Sequence, residues 1–282
     1  MKKTVVTLTS IPSRIRYIQP TIDSILNQSY KVDNIELYIP IDYKKRSLGK
    51  VDEKFLPNGC EVIFCDKDYG PATKVLPALK KYSGESVQII FGDDDMIYEK
   101  DWIKRLVTQS HNFPNDCIVE NGVDVCWHLF KCWEKKNHNL YRFLRILSLG
   151  IWNPKMKYSN NEFFDCIEGS RGVLIKPSFF SDEVFDIPDI IWTVDDIWLS
   201  GILSKNNIKI RKTENTIKSY GLKEGECNFV QTDSSLSNYT YEGFNREMAN
   251  CLAILFCNQK FKIWNEKFSI CRIVSRRLKS IE

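Results

Sequence analysis

The sequence predicts an α/β protein: a mixed, mainly parallel sheet with flanking helices and a helical C-terminal appendage. Three observations carry that reading. Over the first third of the chain, short and almost wholly apolar runs alternate with amphipathic segments, which is the pattern of βαβ units. The most hydrophobic run, Val87 to Phe91, ends in charge at Gly92-Asp93-Asp94-Asp95. Beyond Tyr241 the strand pattern is replaced by helical periodicity. The expected division is a main unit over 1–215, carrying an aromatic and basic insertion near 127–162, and an appendage over 216–282 that ends in a basic tail.

Thr4 to Thr9 reads as a buried strand, broken at Ile11-Pro12-Ser13-Arg14, after which Ile18, Ile22, Ile25 and Leu26 recur at helical spacing. Asn34 to Ile39 and Glu61 to Cys65 are the second and third strands. Ala72 to Tyr82 is expected as a helix with Val75, Leu76 and Leu79 inward, and Val87 to Phe91 as a fourth strand buried on both faces. Asp101 to Phe113 is a helix. Trp127 to Tyr158 is rich in aromatic and basic residues and lacks a strand period, so it reads as inserted; within it Leu140, Phe143, Leu144 and Leu147 fit a helical stripe. Order returns with a strand over Gly172 to Ile175, a helix starting near Asp195 and a strand over Ile208 to Ile210. Tyr241 to Cys257 and Lys260 to Lys279 are helical.

Composition narrows the classes. The 282 residues are 43% hydrophobic and 27% charged, which excludes disorder, collagen and coiled coil. No apolar run approaches the roughly 20 residues of a spanning helix. Forty Lys+Arg against 36 Asp+Glu leave a formal charge of +4, too mild to predict a nucleic-acid partner. The excess gathers at the C-terminus, where Lys260, Lys262, Lys267, Arg272, Arg276, Arg277 and Lys279 face only Glu266 and Glu282. With Phe268, Ile270, Ile273, Val274 and Leu278 among them, that tail suits either a solvated helix or contact with an anionic membrane. Ten cysteines spread over a long chain without CxxC spacing read as reduced thiols rather than a disulfide or zinc framework. Met1-Lys2-Lys3 is not followed by a leader-type apolar stretch. The expected location is the cytoplasm, with the inner face of a membrane as the place where the tail would dock.

Three consecutive carboxylates at a strand end repel one another. A divalent cation would stabilise them, because hard oxygen ligands suit magnesium and manganese, and the cation would in turn hold a diphosphate. A polar turn closed by a local Asx bond would use the same residues. Asp195-Asp196 opens a predicted helix, where the pair can serve as cap and first-turn charges or as a proton acceptor. Asp68-Tyr69-Gly70-Pro71-Ala72-Thr73-Lys74 joins the third strand to a helix whose start could meet an anion. Gly169-Ser170-Arg171-Gly172 precedes a strand, either as a plain turn or as a close approach to a ligand.

Together these pieces resemble the nucleotide-sugar glycosyltransferases of the GT-A fold, over roughly Lys3 to Leu203. The resemblance implies that Thr9, Ser10, Ile11 and Arg14 form the nucleoside loop. It implies that Asp93-Asp94-Asp95 is the DxD-type element, with Asp93 and Asp94 near the ribose and metal. Asp95 would be the principal ligand, beside Asp93, of manganese or magnesium. It implies that Asp196 is the general base of an inverting transfer, positioned by Asp195. Asp68 would read the nucleobase, Lys74 would balance phosphate, and Arg171 would pair with phosphate or an acidic acceptor. The donor implied is a nucleoside diphosphate sugar, with UDP the expected nucleotide, and the acceptor a saccharide or lipid-linked glycan. One departure stands out: metal-binding members often supply a further histidine near the C-terminal end, whereas His111, His128 and His138 all precede Asp195. Two other readings are weighed. A sugar-phosphate nucleotidyltransferase needs a glycine-rich first loop that Ser10-Ile11-Pro12-Ser13 lacks. A carbohydrate-binding or membrane-docked module would use the acidic clusters only as turns.

Overall fold

Residues 2–43, 48–136, 162–216, 220–221 and 245–270 are described by the computed structural model. Strand β1 (Lys3–Thr9) lies between β2 (Asn34–Pro40) and β4 (Val87–Phe91), parallel to both, and β3 (Glu61–Cys65) extends the parallel set at the edge. Period-two alternation explains why these strands are apolar on both sides. Val5, Val87, Ile89 and Phe91 enter one core, while Val6, Leu8 and Ile90 enter the other. The second core is closed by α1 (Gln19–Leu26) through Ile22 and Ile25, and by α3 (Trp102–Asn112) through Trp102, Ile103 and Leu106. Leu26, expected inward, is 41% exposed, because the helix ends there and its inward face is complete with Ile25.

The predicted helix over 72–82 is two elements. A 3-10 turn over Gly70–Lys74 gives way at Val75 to α2 (Leu76–Lys81), which has a proline in its first turn. Pro77 lacks an N–H and so favours a fresh helix start over continuation. Val75, Leu76 and Leu79 are buried as expected.

Strand β5 (Met96–Ile97) lies between β4 and α3, and α3 is followed by β6 (Cys117–Val119), β7 (Gly122–Val123) and helix α4 (Val125–Lys136). Helix α4 corrects the reading of a featureless insertion starting at Trp127. Val125, Leu129 and Cys132 form a buried stripe at helical spacing. The stripe Leu140, Phe143, Leu144 and Leu147 lies outside the described residues, as does Trp152.

After β8 (Phe163–Phe164) and β9 (Cys166–Ile167), β10 (Val173–Ile175) inserts antiparallel between β4 and β6. Helix α5 (Asp195–Lys205) follows, then β11 (Ile210–Lys212), two residues later than expected. Ile208 donates its N–H to the Leu203 carbonyl beside a left-handed Asn207, so those residues close the helix rather than begin the strand. The large sheet has the order β3-β2-β1-β4-β10-β6-β11-β8, and β12 (Tyr220–Gly221) pairs with β5.

Helix α6 (Arg246–Phe261) ends at Lys262 in left-handed conformation, and α7 (Asn265–Ile270) follows. The expected continuous helix from Lys260 is therefore interrupted; its portion beyond residue 270, with Arg272, Arg276, Arg277 and Lys279, lies outside the described residues. Ala249, Cys251, Ala253, Ile254 and Cys257 of α6 share one core with Trp198 of α5. Each such side chain contributes about 1.5–3 kcal/mol when large and fully buried. No helix among the described residues is long and apolar enough to cross a membrane.

Candidate active site

Thr7 of β1 is paired with Phe91 of β4, and Phe91 in turn with Val173 of β10. The turns leaving β1 and β4 and the turn entering β10 therefore meet at one end of the sheet, where a cleft of ≈ 350 Å³ opens. Thr9, Ser10, Ile11 and Arg14 form one wall, Asp93, Asp94 and Asp95 the floor, and Asp195 and Asp196 the opposite wall. Elements distant in sequence thus line one cleft.

Arg14 organises the floor. Its Nη2 lies 2.5 Å from Asp94 Oδ1 and 2.6 Å from Asp95 Oδ2, and Ser10 Oγ donates to Asp94 Oδ2. Thr21 of α1 donates to the Asp94 carbonyl at 2.9 Å. Asp94 is nearly buried and Asp95 is 34% exposed to the cleft. Burial, then the adjacent Asp94 charge, push the Asp95 carboxyl up to about 6.

Lys74 joins the two acidic groups. Its Nζ sits 2.8 Å from Asp93 Oδ1 and 3.7 Å from Asp195 Oδ2. Burial works against its charge, but Asp93, Asp195 and Asp196 outweigh burial and hold it protonated. The ammonium expected to meet phosphate is held by protein carboxylates. At Asp93 burial is likewise outweighed, by Lys74 and then by Arg14 and Arg246, so its carboxyl lies below the usual range.

Asp195 and Asp196 occupy the first turn of α5, whose N-cap is Val194 without a side-chain cap bond, so neither aspartate caps the helix. Asp196 Oδ2 accepts the Gly169 N–H at 3.1 Å. Its Oδ1 is buried with no hydrogen-bond partner among the described residues. Burial, followed by the Asp195 charge, pushes the Asp196 carboxyl up to about 7. The missing side chain of Gly169 leaves room for the site: a Cβ there would lie 2.7 Å from Asp196 Oδ1 and 3.0 Å from Lys74 Nζ and would force one of them to move.

Asp68 lines the cleft, and its Oδ1 accepts the Gly70 N–H at 2.7 Å, so it also builds the turn. Gly70 adopts φ +60, and a Cβ would strike the Trp192 ring at 2.0 Å. Arg171 is not among the residues lining the cleft; its carbonyl accepts the Trp102 Nε1–H at 2.9 Å, while its neighbours Glu168 and Ser170 face the cavity. Sequence reasoning did not single out Tyr43, Glu168, Trp192 or Arg246, all of which line the cleft. Tyr43 donates to the Ser10 carbonyl at 2.5 Å and fixes the first loop. His128 is buried away from the cleft against Asn250, and burial pushes it down to about 4.

No group of three His, Cys, Asp or Glu side chains suited to holding a metal occurs among the described residues. The cleft still fits a magnesium-type ion in donor chemistry. Asp93 and Asp95 present hard oxygens to one space, and such ions are commonly held by one or two carboxylates, with substrate phosphates and water completing the shell.

A mainly parallel sheet carrying an acidic turn after its fourth strand, with an aspartate pair across the cleft, is the arrangement the resemblance to the GT-A glycosyltransferases leads one to expect. The family model described as glycosyl transferase family 2 matches residues 11–174, and the chain belongs to that family. Membership favours the glycosyltransferase reading over the nucleotidyltransferase and non-enzymatic ones. Comparison with curated proteins finds no match. Among solved structures, the chain is similar to S. aureus TarS, with 15% identity and a TM-score of 0.48 over 81% of this chain and 38% of that one. It is also similar to S. aureus TarS 1–349 in complex with UDP-GlcNAc, with 15% identity and a TM-score of 0.49 over 96% and 76% of the two chains. For the complex of TarS 1–349 with UDP the values are 13%, 0.47, 95% and 75%.

Proposed function

We propose that the protein transfers a sugar from a nucleoside diphosphate sugar, UDP being the expected nucleotide, to a hydroxyl of a saccharide or lipid-linked glycan. The transfer is an inverting displacement with Asp196 as general base. The observation that supports this reading is the division of labour within one carboxylate: Oδ2 of Asp196 is held by the Gly169 N–H, and Oδ1 has no donor among the described residues. An acceptor hydroxyl would supply that missing donor and lose its proton to it as the new bond forms. A carboxyl raised to about 7 is well matched to that task near neutral pH.

Asp95, with Asp93 beside it, would hold manganese or magnesium, which when bound stabilises charge on the departing diphosphate as a Lewis acid. The chain's own contribution is to keep the triplet in place through Arg14, Ser10 and Lys74. Thr9, Ser10, Ile11 and Asp68 form the nucleoside side of the cleft, and Asp195 positions the base. In this proposal 1–215 is the catalytic unit and 216–282 its appendage, whose basic tail docks the enzyme on an anionic membrane at its cytoplasmic face.

The test is incubation with UDP-sugars, manganese and a panel of acceptors, followed by product analysis including anomeric configuration. Asp196→Asn is expected to lower transfer by roughly 10²–10⁴-fold while nucleotide binding persists. Undiminished transfer in that variant removes Asp196 from the role, and retained anomeric configuration removes inversion.

A further inference from the structure

Among the described residues the cleft carries three side-chain cations, and two of them are already committed. Arg14 pairs with Asp94 and Asp95, and Lys74 with Asp93 and Asp195. The third is Arg246, the first residue of α6, which reaches the cleft from 53 positions beyond Thr193. Its Nη1 donates to the Thr193 carbonyl at 3.1 Å, and it forms no salt bridge with any carboxylate among the described residues. Thr193 stands two positions before Asp195, so the guanidinium is fastened to the very turn that presents the aspartate pair.

The scaffold behind it is rigid. Asn245 caps α6 by accepting the Met248 N–H at 3.1 Å, and the buried face of the helix, with Ala249, Ala253 and Cys257, packs on α5. A Cβ at Gly201 of α5 would lie 2.7 Å from Cys257 Sγ, which shows how closely the two helices approach. A long cationic side chain is thereby delivered to a fixed point on the rim of a strongly acidic cavity. Electrostatics says what it is for. A diphosphate entering among Asp93, Asp94, Asp95, Asp195 and Asp196 meets like charge, and neither Arg14 nor Lys74 has charge to spare for it. A guanidinium whose remaining donors meet no carboxylate among the described residues matches phosphoryl oxygens in both geometry and charge.

We propose that Arg246 binds the diphosphate of the donor and stabilises it as a leaving group, so that the C-terminal appendage completes the active site. The inference rests on the donor reading given above. When the bond from the anomeric carbon to the phosphate oxygen breaks, its electron pair remains on the diphosphate, and the proton of the acceptor goes to Asp196. Arg246 stays protonated throughout and meets the charge that develops. No step needs an additional reactant.

The test is calorimetric titration of the full chain with UDP and, separately, with uridine, both in the presence of manganese. Arg246→Ala and Arg246→Gln are expected to weaken UDP binding by about 10–100-fold, the loss of one charge-assisted contact. Uridine binding should stay unchanged, which also shows that each variant is folded. Arg246→Lys should recover part of the UDP affinity, because the charge returns without the fork. Unchanged UDP affinity in Arg246→Ala overturns the proposal, including the case where the KM for acceptor rises instead, since the anion met would then belong to the acceptor. Equal loss of UDP and uridine binding also overturns it, because the arginine would then act only through the fold. Failure of the wild-type chain to bind any nucleoside diphosphate defeats the donor reading itself, a result distinct from those read in the variants.

Discussion

Gly169 donates its backbone N–H to Asp196 Oδ2 at 3.1 Å across the cleft, tying the turn before β10 to the first turn of α5. A Cβ at 169 would press on Asp196 Oδ1 at 2.7 Å, so the carboxylate would have to shift to make room for it. Gly169→Ala is therefore expected to lower turnover by roughly 10²-fold through displacement of the carboxylate. Steady-state kinetics should show the loss in kcat, with UDP affinity close to that of the wild type.

With Asp196 as the proposed base, its protonation is expected to set the pH profile. A base must be ionised to act, so kcat is expected to rise with pH and level off above about 7. Asp195→Asn removes the neighbouring negative charge, the second cause of the shift after burial, and should move the rising limb to lower pH. The same shift has a stability sign. The folded state holds this proton more tightly than the unfolded chain does, so the contribution of Asp196 is full in acid and is lost as pH rises towards about 7.

Lys74, itself buried, stands between Asp195, which is buried, and Asp93, whose side chain is 36% exposed. Lys74→Met is expected to cost about 3–5 kcal/mol in urea unfolding, as for other broken buried pairs. Asp93→Asn in the same chain should recover part of that loss, because one of the abandoned charges is removed. Additive losses from the two changes would show that the pair is not coupled.

Far from the cleft, Glu36 is fully buried in β2 and accepts from Tyr38 Oη at 2.6 Å, from Lys81 Nζ at 2.8 Å and from Tyr82 Oη. Burial opposes ionisation, but Lys81 and the two hydroxyls outweigh it and hold the carboxyl below the ordinary range. Glu36→Gln is expected to destabilise the fold by about 1–3 kcal/mol near neutral pH. That difference should narrow in acid, because a carboxyl with a depressed folded value loses its contribution as pH falls through it. Nucleotide affinity should not change, which makes this variant the control for effects confined to the fold.

Strands β1 and β4 were legible because each is buried on both faces and reads as a mostly apolar run, from Thr4 to Leu8 and from Val87 to Phe91. Helix α4 was passed over although Val125, Leu129 and Cys132 carry its spacing, since the surrounding tryptophans and lysines mask the stripe. Pro77 announced the break in the 72–82 helix and was read as part of it. In the cleft, the acidic motifs could be found by residue type alone. What they are paired with could not: Arg14 reaching the triplet, Lys74 spanning two motifs and Arg246 arriving from α6 are products of packing between segments far apart in the chain. Arg171 illustrates the opposite error, a suitable charge in a suitable motif whose neighbours, and not itself, turn towards the cavity.

The reversed strand β10 carries a kinetic consequence. Pairing of Phe91 with Val173, and the bond from Trp102 Nε1 to the Arg171 carbonyl across 69 positions, must close a long stretch of chain before either wall of the cavity faces the other. Such distant closure is slow compared with helix formation or local turns. During refolding the hydrophobic layers around β1 and β4 should consolidate first, and competence to bind nucleotide should lag behind the recovery of helical circular dichroism.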